Sequence, residues 1–159
     1  MGENFEFKKL VDSNLSTINE LSNLFPNWKK SSVQKKIRDT LEGKNERFIV
    51  LSEGKIIGHL KVTFGKGLHK HRADLSSLVV HPSFRKKGVG SKLVKFVLDN
   101  LPQKIFLVLL AVDKNNTPAI SLHKKLGFKK YGVLSKASFV DGKYVDNYLM
   151  KKELKRKLI

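Results

Sequence analysis

One segment near the middle of the chain restricts the fold more than any other. A short stretch, Leu75–Val80, which is apolar apart from Ser76 and Ser77, is followed by Pro82, by a basic run, and then by two glycines, Gly88 and Gly90. Proline disfavours further ladder pairing, so the apolar stretch predicts a strand that ends near Pro82. After the glycines, apolar residues recur at helical spacing, which predicts an amphipathic helix. A strand, a short basic loop and a helix must therefore follow one another directly.

The predicted helix start favours an anionic ligand. Backbone N–H groups of a first helical turn have no acceptor within the helix, and the helix dipole is positive there. Glycine lacks the Cβ atom that would keep a ligand away from the backbone. Arg85, Lys86 and Lys87 add positive charge just before Gly88 and Gly90. The loop therefore predicts a site for a phosphate or pyrophosphate group.

Two widespread phosphate-binding motifs do not fit this loop. The dinucleotide-binding fingerprint requires a third glycine three residues after Gly90, where this chain has Leu93. The P-loop requires glycine, lysine and then serine or threonine, whereas the order here is Gly90-Ser91-Lys92. The loop is therefore neither of these motifs.

The remainder of the chain predicts a mixed α/β domain. A nearly all-apolar run, Ile105–Val112, predicts a central strand buried on both faces. Thr117 and Pro118 predict the cap and first turn of a later helix. The whole predicted order is β-α-α-β-β-β-α-β-α-β-β, with one mixed sheet covered by helices on both sides. At 159 residues, we expect one domain over residues 1–159.

Composition narrows the classes of function. Lysine and arginine number 32 against 14 aspartates and glutamates, a net charge of +18, which favours anionic partners such as nucleic acid or phosphorylated cofactors. The chain has no cysteine, which excludes disulfides, thiolate metal sites and cysteine nucleophiles and fits a cytoplasmic protein. No apolar run reaches the roughly 18 residues of a spanning helix, and the N-terminus lacks a signal-peptide core. We therefore expect a cytoplasmic protein without membrane association.

Three motifs resemble the GCN5-related N-acetyltransferase (GNAT) superfamily. Its cofactor signature, Arg/Gln-x-x-Gly-x-Gly/Ala after a strand ending in Val-x-Pro, is matched from Val80 to Gly90. The second signature, Asn-x-x-Ala-x-x-Leu-Tyr-x-x-x-Gly-Phe, is matched at Asn116, Ala119, Leu122, Gly127 and Phe128, with His123 in place of the tyrosine. The third motif is the C-terminal pattern Asp146–Leu154. The resemblance covers nearly the whole chain. It implies the GNAT fold: about seven strands in a mixed sheet flanked by about four helices, splayed between strands 4 and 5.

The resemblance also implies acetyl-coenzyme A as co-substrate, with no metal. The backbone of Leu78, Val79 and Val80 would pair with the pantetheine arm as an added strand. The pyrophosphate would lie on the amides of the loop, and Asn116 would hold the pantetheine or the structure around it. The loop set is Arg85, Lys86, Lys87, Gly88, Val89, Gly90 and Ser91. The alternatives are that the valines are plain core and that Asn116 is a turn residue.

The family's reaction moves acetyl directly from the thioester to an amine. It needs a donor for the tetrahedral oxyanion, usually a backbone N–H on the splayed strand, which the resemblance places at Val80 or at Leu78–Val79. His123 stands where most members have a tyrosine acid, and imidazole can donate a proton near neutral pH. Alternatively, His123 is one more polar residue beside Lys124 and Lys125. A thiol pKa near 8.5 also means that the thiolate could leave with little help.

The base is less sharply indicated. Asp74 is an acidic residue just before the fourth predicted strand, and strand alternation would place it on the face of Ser76, Leu78 and Val80. The alternative is a solvated ion-pair partner among many lysines. Further candidates are the histidines His59, His69, His71 and His81.

The acceptor site of this family is built from the first two helices, the loop between them and the last hairpin. Here the resemblance implies Phe25, Trp28 and Tyr144, although Trp28 could equally plug a helix joint. The predicted function is acetyl transfer to a primary amine of a small molecule, a protein N-terminus or a lysine. The alternatives are a basic nucleic-acid- or ribosome-associated protein and a non-catalytic acyl-coenzyme A binder. A homodimer is a further expectation.

Overall fold

The computed structural model describes residues 4–156. Within that range the helices are α1 (Leu15–Leu24), α2 (Lys30–Leu41), α3 (Val89–Asn100) and α4 (Thr117–Lys125). The strands are β1 (Phe5–Lys9), β2 (Glu46–Ser52), β3 (Lys55–Phe64), β4 (Arg72–Val80), β5 (Leu107–Asp113), β6 (Lys129–Val140) and β7 (Lys143–Glu153). The element order is the predicted one.

The seven strands form one mixed sheet with the order β1-β2-β3-β4-β5-β7-β6. Pairing is antiparallel between β1 and β2, between β2 and β3, and along β5, β7 and β6, whereas β4 and β5 are parallel. Together with the four α-helices found within residues 4–156, this confirms the predicted mixed sheet of about seven strands flanked by about four helices.

The parallel ladder is short, and its end coincides with a change in β4. The β4–β5 register runs from Arg72 opposite Leu107 to Leu75 opposite Leu110. Two residues later Ser77 has a φ of 56°, a left-handed conformation that is uncommon for a residue with a side chain. Buried and exposed residues alternate up to Ser76 and then cease to alternate. The ladder therefore stops where the splay was predicted, although β4 itself continues to Val80.

Contacts divide the described chain into two compact units. The first takes residues 4–63 and 77–100, and the second takes residues 64–76 and 101–156. In the first unit, helices α1 and α2 cover one face of β2, where Ile49 and Leu51 join their buried core. On the other face, Phe96 of α3 packs its ring against Phe48 of β2 at 6.2 Å. Helices thus lie on both sides of this part of the sheet.

The second unit has its own core around β5. Val108, Leu110 and Val112 are buried, and Met150 of β7 is fully enclosed. Burial along β5 alternates, and Ala111 is exposed, so the expected burial on both faces is wrong. The strand at the sheet's end, β6, is mostly exposed and carries two register shifts against β7.

Candidate functional site

The end of β4 is held by two hydrogen bonds within the first unit. The His81 amide donates to the Ile57 carbonyl oxygen at 2.8 Å. Arg85 folds its side chain back, and its Nε–H donates to the Val80 carbonyl oxygen at 3.0 Å. Two members of the predicted cofactor set, Val80 and Arg85, are therefore in direct contact, which fixes the strand end relative to the loop.

The loop after β4 prepares the start of α3. Lys86 and Gly88 both have left-handed backbones, with φ of 61° and 75°. Helix α3 begins at Val89, so Gly90 lies inside its first turn and not before it. The Lys92 amide donates to the Gly88 carbonyl oxygen at 3.0 Å, a bond of the first helical turn. Amides that precede Lys92 in this turn have no acceptor within the helix, which is the arrangement that suits a phosphate group.

Positive side chains surround this helix start. Arg85, Lys86 and Lys87 are all exposed. Lys87 Nζ lies 5.3 Å from the ring centre of Phe84, and Lys92 Nζ lies 6.0 Å from that of Phe5. Cation–aromatic contacts of this kind hold charges loosely near the loop. The residues present therefore fit a multiply charged phosphate ligand.

The predicted cofactor strand contributes backbone rather than side chains. Leu78, Val79 and Val80 are half-buried. The Val79 side chain packs against the buried core beneath α1 and α2, as the plain-core alternative expected. A Cβ built on Gly58 would lie 3.5 Å from the Val79 carbonyl oxygen, so β3 approaches this strand closely. This packing involves side chains, so the backbone of the same residues can still have the predicted role of pairing with the pantetheine arm.

His123 lies on α4 in the second unit and is 6% exposed. Its ring meets Phe128 edge-on, with ring centres 5.6 Å apart. Burial lowers the pKa of His123 to about 4, so the imidazole is neutral at pH 7. An imidazolium acid is therefore scarce at that pH, and the neutral ring that is present can donate a hydrogen bond but does not readily give up its N–H proton.

Three buried polar atoms of the second unit have no hydrogen-bond partner within residues 4–156. They are His123 Nδ1, Arg72 Nε and Asn147 Oδ1. Buried polar groups are nearly always paired in folded proteins, so unpartnered ones point to a ligand or a solvent molecule. Sequence reasoning singled out only the first of the three.

Asn116 caps α4, a role that the sequence had assigned to Thr117. Its Oδ1 accepts the Ala119 amide hydrogen at 3.2 Å, and Thr117 is instead the first helical residue. Asparagine is a strong cap because its short side chain reaches the amides of the first turn. The capping bond supports the turn-residue alternative, and it leaves the side-chain NH2 group for another partner.

The Asp74 residue is exposed as a whole, but its carboxyl is partly desolvated. This desolvation raises the pKa of the carboxyl, and the positive charge of Arg72 lowers it by a smaller amount. A raised pKa suits a base, but the strand alternation expected to align Asp74 with Leu78 and Val80 is interrupted at Ser77. Among the further candidates, His69 is exposed, and His81 Nδ1 accepts the Ser83 amide hydrogen at 3.3 Å.

Phe25 and Trp28, expected at the acceptor site, lie together. Their rings stack with centres 3.9 Å apart and planes 5° apart, and Lys36 Nζ lies 4.6 Å above the Trp28 ring. Tyr144 belongs to the second unit, where it is 67% exposed and meets Phe139 edge-on at 5.1 Å. All three aromatic residues stay predicted acceptor residues.

Sequence reasoning missed one buried polar network beside Phe25. Arg47 is 4% exposed, and its guanidinium contacts Thr40 and His59. The available signal was a cation at the start of an apolar strand, two residues before Ile49 and on the same face. Sequence alone could not show that α1 and α2 cover that face.

Solved structures confirm the fold over almost the whole chain. The structure of yncA from Salmonella typhimurium with its cofactor acetyl-CoA has a TM-score of 0.82, covering 98% of this chain and 97% of that one at 14% identity. The ribosomal-protein-alanine N-acetyltransferase from Brucella melitensis also has a TM-score of 0.82, covering 94% and 99% at 16% identity.

The sequence comparison shows the family. Residues 15–128, more than half of the chain, match the acetyltransferase (GNAT) family. This chain therefore belongs to that family, as the three motifs predicted.

Individual relatives are more distant. Spermidine N(1)-acetyltransferase of Escherichia coli (strain K12) is 29% identical over 127 residues, which are 79% of this chain and 61% of that protein. UPF0157 protein YqkA of Bacillus subtilis is 34% identical over 100 residues, 62% of this chain and 27% of that protein. L-amino acid N-acetyltransferase AaaT of E. coli is 28% identical over 108 residues, 66% of each. The chain thus spans from about a quarter to just under two thirds of the length of these relatives.

Within residues 4–156, no helix has the length and apolarity to cross a membrane.

Proposed function

We propose that this protein transfers an acetyl group from acetyl-coenzyme A directly to a primary amine. The observation that carries the proposal is the loop from Arg85 to Ser91, where left-handed Gly88 leads into the open first turn of α3. Membership of the GNAT family and the acetyl-CoA complex of yncA support the same ligand. The first-turn amides would bind the pyrophosphate, and the backbone of Leu78–Val80 would bind the pantetheine arm.

The thioester supplies an activated acetyl group, and the protein's residues orient the amine and move protons. The amide of Val80, or one of its two predecessors, would donate to the oxyanion that forms when the amine attacks. Asp74 would take the proton of the attacking amine, directly or through water, because its raised pKa makes it a better base. His123 would donate a hydrogen bond from its neutral N–H to the leaving thiolate, which can depart as the anion because a thiol pKa lies near 8.5.

A binding test and a turnover test address this proposal separately. Acetyl-coenzyme A should raise the melting temperature by mass action, since only the folded protein binds it. A thiol-release assay over a panel of primary amines should then show turnover. No thermal shift with millimolar acetyl-coenzyme A would overturn the proposal.

The base is tested by the pH dependence of the rate in Asp74→Asn. Loss of the titrating carboxyl should shift or remove the acidic limb of the pH–rate profile. An unshifted acidic limb would argue against Asp74. A cytoplasmic location, a homodimer and a nucleic-acid partner stay predictions, and salt-sensitive binding of DNA or RNA would favour the last.

A further inference from the structure

A cavity opens on the surface of the helix pair α1 and α2. It has a volume of about 320 Å³ and lies within the first unit. Pockets that hold small ligands begin at roughly 300 Å³. One water takes about 30 Å³ in the liquid, so the space corresponds to roughly ten groups the size of a water molecule. The cavity therefore has room for a small organic ligand.

The side chains that line the cavity come from the start of α1 and from α2. Ser13 precedes α1, and Ile18 belongs to it. Gln34, Arg38 and Leu41 follow one another at intervals of four and three residues, so they form one stripe along α2. The cavity is thus a product of the packing of two helices, and α2 supplies most of its wall.

Three of the lining side chains are polar, and none of them has a hydrogen-bond partner in the described part of the chain. Within residues 4–156, the side chains of Ser13, Gln34 and Arg38 make no hydrogen bond and no ion pair. Their hydroxyl, amide and guanidinium groups are therefore available to a ligand. Binding sites for small molecules bring a few polar groups together in this way to fix the orientation of the ligand.

The acidic residues next to the lining residues in the chain do not neutralise Arg38. Asp39, which Arg38 attracts at longer range, and Glu42 both pair with Lys44, at 2.7 and 2.8 Å. Asp12 accepts a hydrogen bond from the first turn of α1. The last turn of α2 favours a cation through the helix dipole, but this leaves the N–H groups of Arg38 unused. An anionic ligand group would therefore meet a guanidinium without a competing carboxylate.

The remainder of the cavity wall is aliphatic. Ile18 and Leu41 line it, and Leu41 is 47% exposed. Leu15, one turn before Ile18 on α1, is 64% exposed. A ligand chain that covered Leu41 would remove apolar surface from water, which stabilises a complex. The cavity thus combines a positive charge with an aliphatic surface.

We propose that this cavity binds a small aliphatic carboxylate. Arg38 would pair with the carboxylate, because a guanidinium matches its two oxygens with parallel hydrogen bonds. Gln34 and Ser13 would supply further donors to the same oxygens. Ile18 and Leu41 would contact the chain. A ligand of about six carbons has about eight non-hydrogen atoms with its carboxylate oxygens, which is within the room of the cavity.

This site is separate from the residues of the proposed function. Phe25 and Trp28 lie at the end of α1 and in the loop that follows it, and neither lines the cavity. The loop from Arg85 to Ser91 does not line it either. The inference therefore goes beyond acetyl transfer and does not depend on it.

Titration of the 15N-labelled protein with sodium hexanoate, followed by NMR at constant ionic strength, tests the site. We expect the amide signals of residues 13–18 and 34–41 to shift, both with and without saturating coenzyme A. Hexanamide has a similar shape and no charge, so it should bind about tenfold more weakly. Shifts confined to other parts of the chain, or equal affinity for the acid and the amide, would overturn the inference.

Two variants on α2 separate the position of the charge from its amount. Arg38→Met should bind hexanoate about tenfold more weakly and lose the preference for hexanoate over hexanamide. Lys35→Met removes one positive charge from an exposed position outside the cavity wall, and it should keep the wild-type preference. Equal losses in the two variants, or an unchanged preference in Arg38→Met, would contradict the assignment of Arg38.

Leu41→Ser tests the aliphatic side of the cavity. Hexanoate and hexanamide should both bind about fivefold more weakly, because the same apolar contact is lost for each. Unchanged affinities would show that the chain lies elsewhere and would also overturn the inference. If acetyl-coenzyme A gives no thermal shift while hexanoate binds as described, the proposed function fails and the carboxylate site stands.

Discussion

His59 donates its Nδ1–H to the carbonyl oxygen of Ser77 at 2.9 Å, at the residue where β4 adopts a left-handed backbone. The bond joins a fully buried side chain of β3 to the point where the regular pleat of β4 ends. The same ring accepts a hydrogen bond from the Arg47 guanidinium, so the His59 side chain binds both the left-handed segment of β4 at Ser77 and the buried cation.

Replacing His59 by leucine should lower the free energy of unfolding by about 2–4 kcal/mol, since it leaves the Ser77 carbonyl and an Arg47 N–H buried without partners. Urea unfolding measures the loss. His59→Gln, which can donate and accept, should lose less. His69→Leu, in an exposed loop, should stay within about 0.5 kcal/mol of the wild type. A loss as small in His59→Leu as in His69→Leu would contradict this role.

Stability should fall as the pH is lowered from 6.5 to 5. Burial holds the pKa of His59 at about 3 and that of His123 at about 4, against 6.5 for the unfolded chain. The unfolded state therefore takes up protons first, and each histidine should contribute up to about 1.4 kcal/mol per pH unit in this window. Arg47 and Lys61 face His59 and reinforce its shift.

Urea unfolding at several pH values measures this slope. His59→Gln and His123→Gln should each remove about half of it, since each deletes one of the two titrating groups. His69→Gln, at an exposed position, should retain the full slope. A slope that persists in the double variant His59→Gln/His123→Gln would show that other groups cause it.

Gly88→Ala should separate cofactor binding from general stability. Gly88 and Gly43 have φ of 75° and 76°, and a Cβ at either would meet nothing within 4 Å, so alanine should cost about 1 kcal/mol of stability at both. Only Gly88 lies in the proposed pyrophosphate loop, so only Gly88→Ala should weaken acetyl-coenzyme A binding, by about tenfold. Calorimetric titration distinguishes the two variants, and equal affinity in both would count against the loop.

Arg85→Met should weaken acetyl-coenzyme A binding at low salt by about tenfold, through the loss of a cation and of its bond to the Val80 carbonyl. Lys95→Met is the matched control, because it removes a positive charge from the exposed face of the same helix region, where Lys95 pairs with Asp99. If the two variants lose equal affinity, the effect comes from net charge and not from the position of Arg85.

His123→Ala should lower kcat by about tenfold, through the loss of one hydrogen bond to the departing thiolate, and leave acetyl-coenzyme A affinity nearly unchanged. Because the neutral imidazole is the acting form, the wild-type kcat should not decline between pH 6 and pH 8. An unchanged kcat in the variant would contradict a role of His123 at the leaving thiolate.

The sequence predicted what depends on local chemistry. The absence of a Cβ at Gly88, which opens the helix start to a ligand, follows from residue type alone, whereas its left-handed φ of 75° is seen only in the structure. Asn116 and Thr117 are both good caps in adjacent positions, so pattern alone could not decide between them, and the structure chooses Asn116.

Tertiary packing decides what the sequence could not. Arg47 resembles any surface cation until α1 and α2 are placed over β2, and His123 has an ordinary pKa until α4 buries it. The predicted alternation of side chains along β4 was extended from Asp74 past Ser77. Ser77 has a left-handed backbone, which its residue type does not predict.

The exposed outer strand β6 has a consequence for how this protein must behave in concentrated solution. An open strand edge offers unpaired backbone groups to other chains, and β6 also exposes Tyr131, Val133 and Phe139. Its two register shifts break the flat edge, and Lys130 and Lys136 set like charges along it. Part of the net charge of +18 thus disfavours strand pairing between copies of the protein through electrostatic repulsion. Salt that screens this repulsion should promote self-association.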